Sequence, residues 1–296
     1  ADLLFYDKTA HFITEHRKNH PDKPFFVVFS TQISHAPVLP AREFRNKSGA
    51  GPRGDFIHEL DVLTGRLLDL IGKLGIDDNT LVMFNSDNGP ETVHTDWMRQ
   101  DHDHDAAGGL RGVKRDGWEG GHRVPFIARW PGRIPAGTVS KQMTNTTDIF
   151  ATIASIIDFQ LPDEVAVDSF DMLPAMLGIQ DEEEPIRPHM LTQSFRAQFQ
   201  IRQGNWKYLD HMGSGGNSYS RGILKKYALP ETAPKATGQL FNLATDPGET
   251  TNLFFKESIK RQELQALLKK LTPKEGGRSA PRNRKPLGMK NIPRVK

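Results

Sequence analysis

The strongest constraint in this sequence is an alternation of short, continuously apolar runs with longer segments of helical periodicity. The run PFFVVFS at 24–30 has no polar residue between its ends, the pattern of a strand covered on both faces. From Asp55 to Leu74 the apolar residues fall at Phe56, Ile57, Leu60, Leu63, Leu67, Leu68, Ile71 and Leu74, which is helical spacing, and Gly75 follows as a stop. A second apolar run, NTLVMFN at 79–85, leads straight into SDNGP. A third, VPFIARW at 124–130, is closed by Pro131 and Gly132. A further helix, capped near Thr147 and Asp148, carries Ile149, Phe150, Ile153, Ile156 and Ile157 on one face. Strand and helix in alternation predict an α/β layer structure with a mainly parallel sheet flanked by helices.

After about residue 180 the texture changes. The acidic stretch DEEEP at 181–185 reads as a solvated linker. Short strand-like pieces follow near 198–202, 206–209 and 239–243, and an amphipathic helix spans about 257–271. These predict a small C-terminal antiparallel subdomain over 181–272, after an α/β domain over 1–180. Gly213 to Arg221 is rich in Gly, Ser and Asn and reads as a mobile loop. The net charge of +3 is unevenly placed: residues 269–296 hold ten Lys/Arg against Glu275 alone, leaving 29 basic and 35 acidic residues before them. The body is therefore acidic and lacks aromatics interleaved with Arg, which argues against nucleic-acid binding. The tail, 273–296, reads as a disordered basic extension. No run approaches the roughly 18 apolar residues of a bilayer span. The chain has no Cys, which excludes thiolate metal sites and cysteine nucleophiles within it.

Ligands of open α/β sheets collect beyond the carboxyl ends of strands. His35 follows the first apolar run and Asp87-Asn88 the second. A carboxylate beside a carboxamide offers two hard oxygens, suited to Ca²⁺ or Mg²⁺, although such cations take six or more ligands and DNGP is also an ordinary turn. Lys114 sits in a glycine-dense loop, GVKRDGWEGGHRVP at 112–125, where backbone can approach a ligand closely and an ammonium can neutralise an oxyanion; a loop lysine is also commonly just solvated. The alternation Asp101, His102, Asp103, His104, Asp105 reads as an extended, solvated or substrate-facing loop with the two histidines on one face. The sequons at Asn46 and Asn145 decide nothing.

Taken in order, His35-Ala36-Pro37 after an apolar run, NTLVMFNSDNG ending in Asp87, Asn88 and Gly89, and Lys114 followed by WEGG and Arg123-Val124-Pro125 resemble the type I sulfatases of the alkaline phosphatase-like superfamily, near the arylsulfatases. The likeness extends through Asp148, through Ile201-Arg202 with Gly204 to Lys207, and through LFNL at 240–243 to Asp246, Glu249 and Asn252. It implies an alkaline phosphatase-like fold and hydrolysis of an aryl or carbohydrate sulfate ester. It assigns Asp87 and Asn88 as two of four protein ligands of a Ca²⁺ (or Mg²⁺), Lys114 as a contact to the sulfate and the nucleophile, and His35 as a hydrogen-bond partner of the sulfate near the leaving oxygen. Either His35 or Lys114 is then the candidate proton donor to the departing alcohol.

The family's nucleophile is a formylglycine made from Cys or Ser in a Cys/Ser-x-Pro-x-Arg motif. The nearest match here, Ser279-Ala280-Pro281-Arg282-Asn283, has Asn in place of Arg. The expectation is a C-terminal fragment whose formylglycine, remaining metal ligands and signal lie on residues not present in this chain. Such a fragment would be inactive alone and would expose apolar sheet edges. The implied partners are a sulfated small molecule or glycan, and the implied location is periplasmic or extracellular. The alternatives are a phosphate ester or phosphonate hydrolase of the same superfamily, and a non-catalytic protein that binds sulfated glycans.

Overall fold

The protein, seen in a computed structural model, is described over residues 1–272 and 286–294. Its contacts divide it into two compact units, Ala1–Leu81 with Glu91–Ala106, and Val82–Pro90 with Ala107–Lys296. The contact boundaries thus flank the segment around Asp87, and do not fall at the exposed acidic stretch 181–185.

The first unit holds helices α1 (Asp2–Asn19), α2 (Gly51–Lys73) and α3 (Thr92–His102), with α2 packed on both others. The periodicity of α2 is realised through buried Phe56, Leu63 and Ile71. Pro52 occupies its first turn, where a missing N–H costs nothing, and Gly75 closes it at φ +64. The run at 24–30 differs from expectation, because no strand forms there among the described residues. Its side chains do alternate in burial, with Phe26 and Val28 66% and 70% exposed. An apolar run records that a strand is meant to be covered, but a ladder also needs a neighbour to receive its hydrogen bonds.

In the second unit β1 (Val82–Asn85) pairs with β2 (Phe126–Arg129), Val82 opposite Arg129 and Asn85 opposite Phe126. β3 (Met190–Gln193), β4 (Phe199–Gln203), β5 (Trp206–Leu209) and β6 (Gln239–Asn242) form a four-stranded meander. Every pairing among these strands is antiparallel, so the mainly parallel sheet expected from the sequence is not formed by the described strands. Alternating strands and helices predict a parallel arrangement only when each helix carries the chain back to the end of the sheet where the previous strand began. The small antiparallel subdomain is present, with β3 as a strand the sequence did not reveal.

The meander has two covered faces, set by the two-residue period of its strands. Ile201, Tyr208 and Leu240 point to one side, where they pack with Phe254, Leu264 and Leu268 beneath α7 (Ser258–Leu271). Leu209 and Phe241 point to the other side, against Trp118. The glycine-dense segment that carries Lys114 therefore lies on this face of the C-terminal sheet.

Helices α4 (Glu119–His122), α5 (Asp148–Ile156) and α6 (Leu173–Met176) complete the unit. The buried face of α5 is shifted from its apolar pattern: Ala151, Thr152, Ala154 and Ser155 are inside, Ile149, Ile153 and Ile156 are half-buried, and Phe150 and Ile157 are exposed. An ion pair turns the helix this way. Arg187, fully buried, donates through Nε and Nη2 to the buried Asp148 carboxylate, and its ring of donors also reaches the Asp168 carbonyl at 2.8 Å. Asp148 also accepts from the Asn145 and Phe170 amides. Thr152 then receives the Met172 amide at 3.0 Å, and Ser169 the Ala151 amide at 2.9 Å. The end of the tail joins this face: the Leu287 amide donates to Ser155 Oγ at 2.9 Å and Ile292 is buried. Residues 286–294 are thus anchored and not the solvated extension expected, whereas Ser279 to Asn283 lie outside the described residues.

Removing Arg187 would leave Asp148 charged and buried. Arg187→Met should cost about 3–5 kcal/mol, read as a lower urea midpoint, and the double change Arg187→Met with Asp148→Asn should recover part of it.

Candidate functional site

His35 belongs to the first unit, on an exposed turn held by two charged side chains. The buried Asp2 carboxylate accepts the Gln32 amide at 2.6 Å, and the His35 amide closes the turn onto the Gln32 carbonyl at 2.8 Å. Arg53 donates to the Ser34 carbonyl at 2.9 Å. The His35 ring places Nδ1 2.8 Å from the Ala36 carbonyl, so Nδ1 carries a proton and Nε2 is left for a ligand. His94 lies in the same unit and is buried. Its pKa is held low, first by that burial and then by the charges of Arg53 and His35.

The putting-together of alternating Asp and His at 101–105 is different from the extended loop expected. Asp101 and His102 end α3, Asp103 caps it in the left-handed region at φ 48, and Asp105 pairs with Arg99 Nη2 at 2.6 Å. His102 is packed against Gly51, where an added Cβ would lie 2.5 Å from Nε2.

Asp87, Asn88 and Lys114 belong to the second unit, and the main chain draws them together. Asn88 Nδ2 donates to Asp87 Oδ1 at 3.0 Å. The next amide, that of Gly89, donates to the Gly121 carbonyl at 2.9 Å, and the Lys114 amide donates to the Pro90 carbonyl at 2.9 Å. These contacts are backbone on backbone, and glycine is what allows them. A Cβ on Gly89 would stand 1.9 Å from the Gly120 oxygen, and one on Gly121 would stand 2.2 Å from the Asp116 oxygen. The structure thus brings together three of the four predicted site residues and places His35 in the other unit.

The Lys114 turn is held by Asp116, a buried carboxylate that accepts from the Val113 amide, the Asn217 amide and side chain, and Tyr219 Oη at 2.7–3.0 Å. Asn217 Nδ2 also donates to the Lys114 carbonyl at 2.9 Å. The segment 213–221, expected to be mobile, is therefore bound over 214–219. Gly216 serves close approach: a Cβ there would lie 2.2 Å from the Arg115 oxygen.

Behind Trp118 lies a buried ionic cluster. Lys207 Nζ stands 2.9 Å from Glu119 Oε1, 3.0 Å from Glu249 Oε1 and 3.1 Å from His122 Nε2. Arg202 meets Glu119 Oε2 at 3.2 Å. Burial alone would raise the Glu119 carboxyl, but the Lys207 ammonium first, then His122 and the Arg202 guanidinium, pull it down to about 2. His122 is lowered to about 4, first by burial and then by the Lys207 ammonium. Glu249 is raised by burial despite Lys207. Sequence reading assigned none of these residues a role, although Glu119, Lys207 and Glu249 all stood inside motifs already noticed.

The donor set at Asp87 and Asn88, a carboxylate and a carboxamide oxygen on adjacent residues, suits a hard cation and supplies two of its ligands. Among the described residues no group of three or more His, Asp or Glu gathers as a complete shell.

The model of the family described as Sulfatase matches residues 1–159, more than half of the chain. The chain belongs to the sulfatase family. It is 31% identical over 271 residues to an N-acetylgalactosamine-6-O-sulfatase of Bacteroides thetaiotaomicron, covering 90% of this chain and 50% of that protein. It is 33% identical over 260 residues to human arylsulfatase A, covering 84% and 48%. Among solved structures, one from a study of glycosaminoglycan metabolism by Bacteroides thetaiotaomicron superposes with a TM-score of 0.78 at 30% identity, covering 91% of this chain and 54% of that one. A sulfatase from Pseudoalteromonas sp. follows at 0.68 and 25%, covering 91% and 52%. The fold is that of the alkaline phosphatase-like sulfatases, and this sulfatase chain spans about half the length of the curated relatives it matches.

The ionic cluster predicts a pH dependence. An unfolded His122 takes up a proton below about 6.5, but the folded one resists until about 4. The unfolded state therefore binds more protons in that window, and stability should fall as pH drops from 6.5 to 4. His122→Gln keeps an acceptor for Lys207 without titrating, so urea midpoints across the window should be flatter in that variant.

Proposed function

We propose that the protein carrying this chain hydrolyses a sulfate ester of an aryl or carbohydrate alcohol. The observation that carries this reading is the shared main-chain frame of Asp87-Asn88 and Lys114, which joins a hard-cation donor pair to an ammonium through Gly89 and Pro90. Family membership supports it, as do the names of relatives, which act on N-acetylgalactosamine sulfates or are arylsulfatases.

Asp87 and Asn88 would hold a Ca²⁺ (or Mg²⁺) together with ligands from outside this chain. When bound, such a cation supplies charge neutralisation for the sulfate oxygens. Lys114 would bring its ammonium to the same oxyanion, a group whose pull strengthens as charge moves onto oxygen in the transition state. In this reading His35 or Lys114 would give the leaving-group oxygen its proton, His35 through Nε2 because its Nδ1–H is taken by the Ala36 carbonyl. The nucleophile of this reading is a formylglycine on a residue not present in this chain. A sulfated glycan is the favoured substrate class and a periplasmic or extracellular site the favoured location. No described helix is long and apolar enough to cross a membrane.

Lys114→Ala should lower kcat/KM on an aryl sulfate by about 10²–10³ in the whole protein, with wild type preferring the aryl sulfate over the matching aryl phosphate. Preference for the phosphate would favour the phosphoesterase alternative. Binding of sulfated glycans without turnover of any ester would favour the non-catalytic one.

A further inference from the structure

Lys207 stands on β5 with almost no exposure, held between two buried carboxylates. A buried ion pair of this kind seldom adds net stability over apolar residues of the same volume, because desolvation of the charges offsets their attraction. What the triad does add is direction. Lys207 fixes the Glu119 side chain, while the Glu119 amide donates to Glu249 Oε2 at 2.6 Å, so residue 119 is gripped at both its main chain and its carboxylate. Glu249 is itself anchored, its carbonyl taking Arg111 Nη1 at 2.6 Å with the guanidinium lying 3.7 Å over the Trp118 ring.

The two residues after Glu119 have no side-chain slack. Gly120 sits where a Cβ would be 2.3 Å from the Gly112 oxygen, its amide donates to the Arg111 carbonyl at 2.7 Å, and Gly121 accepts the Gly89 amide. A displacement of Glu119 therefore passes through rigid backbone contacts to the residue directly after Asn88. Cation ligation tolerates little such displacement, since Ca²⁺ to oxygen distances span only about 2.3–2.6 Å.

We propose that Lys207 is a positioning residue that acts through Glu119 and the Gly120–Gly121 turn to set the Asp87-Asn88 pair relative to Lys114. The proposal rests on the sulfatase reading for its catalytic consequence, but its structural half is independent of that reading.

The test uses the whole protein with Lys207→Met and, as a milder variant that leaves Lys207 paired with Glu249, Glu119→Gln. Hydrogen exchange followed by mass spectrometry reads the peptide over 85–91, where the Gly89 amide is bonded to Gly121. The expected result is exchange about tenfold faster in that peptide in both variants, with β4 and α7 peptides keeping wild-type protection. Turnover of an aryl sulfate should fall about 10- to 100-fold in kcat, with KM little changed, the size typical of residues that orient ligands from behind. Wild-type exchange over 85–91 in both variants would overturn the proposal. Loss of protection spread evenly over β3 to β6 in Glu119→Gln would overturn it equally, by reducing the cluster to a general support. A wild-type protein inert toward sulfate esters would refute the sulfatase reading, and the exchange result would still decide the positioning role.

Discussion

The second unit depends on a contact between backbones. Gly89 lies so close to Gly120, and Gly120 and Gly121 so close to Gly112 and Asp116, that carbonyl oxygens occupy the space of missing Cβ atoms, and these contacts let the end of β1 share a frame with the Lys114 turn. The remaining architecture there can be understood as the means of holding it closed. Asp116 gathers the turn from inside, the Glu119 and Glu249 pair clamps it through Lys207, and the meander beneath supplies a rigid floor through Leu209 and Phe241. The C-terminal sheet is thus part of what supports the Lys114 turn and not a separate appendage. That is consistent with its inclusion in one compact unit with Asp87 and Lys114.

Much of this was legible in the sequence, and the failures have physical causes. The helix at 51–73 and the strands at 82–85, 126–129, 199–203, 206–209 and 239–242 follow from periodicity, which reports local burial. Sheet direction did not follow, because pairing partners are a long-range property that no apolar run encodes. For α5 the pattern misled in part: Ile149, Phe150, Ile153, Ile156 and Ile157 suggested the inner face, but Phe150 and Ile157 are exposed, and Thr152 and Ser155 are inside where the buried Arg187 guanidinium pairs with the acidic start of the helix. Composition also misled at 213–221, where glycine and serine signified intimate packing against Arg115 and Asp116 and not freedom.

The candidate site divides in the same way. Asp87, Asn88, Lys114 and His35 stand at the ends of apolar runs or in glycine-dense turns, so they could be singled out as candidates from sequence. Glu119, Lys207 and Glu249 were not visible as a group, since they come from three distant segments and meet only after the meander has folded. A lysine in a strand has no sequence signal that marks it as buried.

The close glycine contact also bears on how this family can diversify. Positions 89, 120 and 121 admit no side chain of any size, because what each would meet is main-chain oxygen and not a movable side chain. The main-chain frame shared by Asp87-Asn88 and Lys114 is therefore frozen, whatever the rest of the chain becomes. Variation in this part of the chain is thereby confined to positions whose neighbours are movable side chains or solvent.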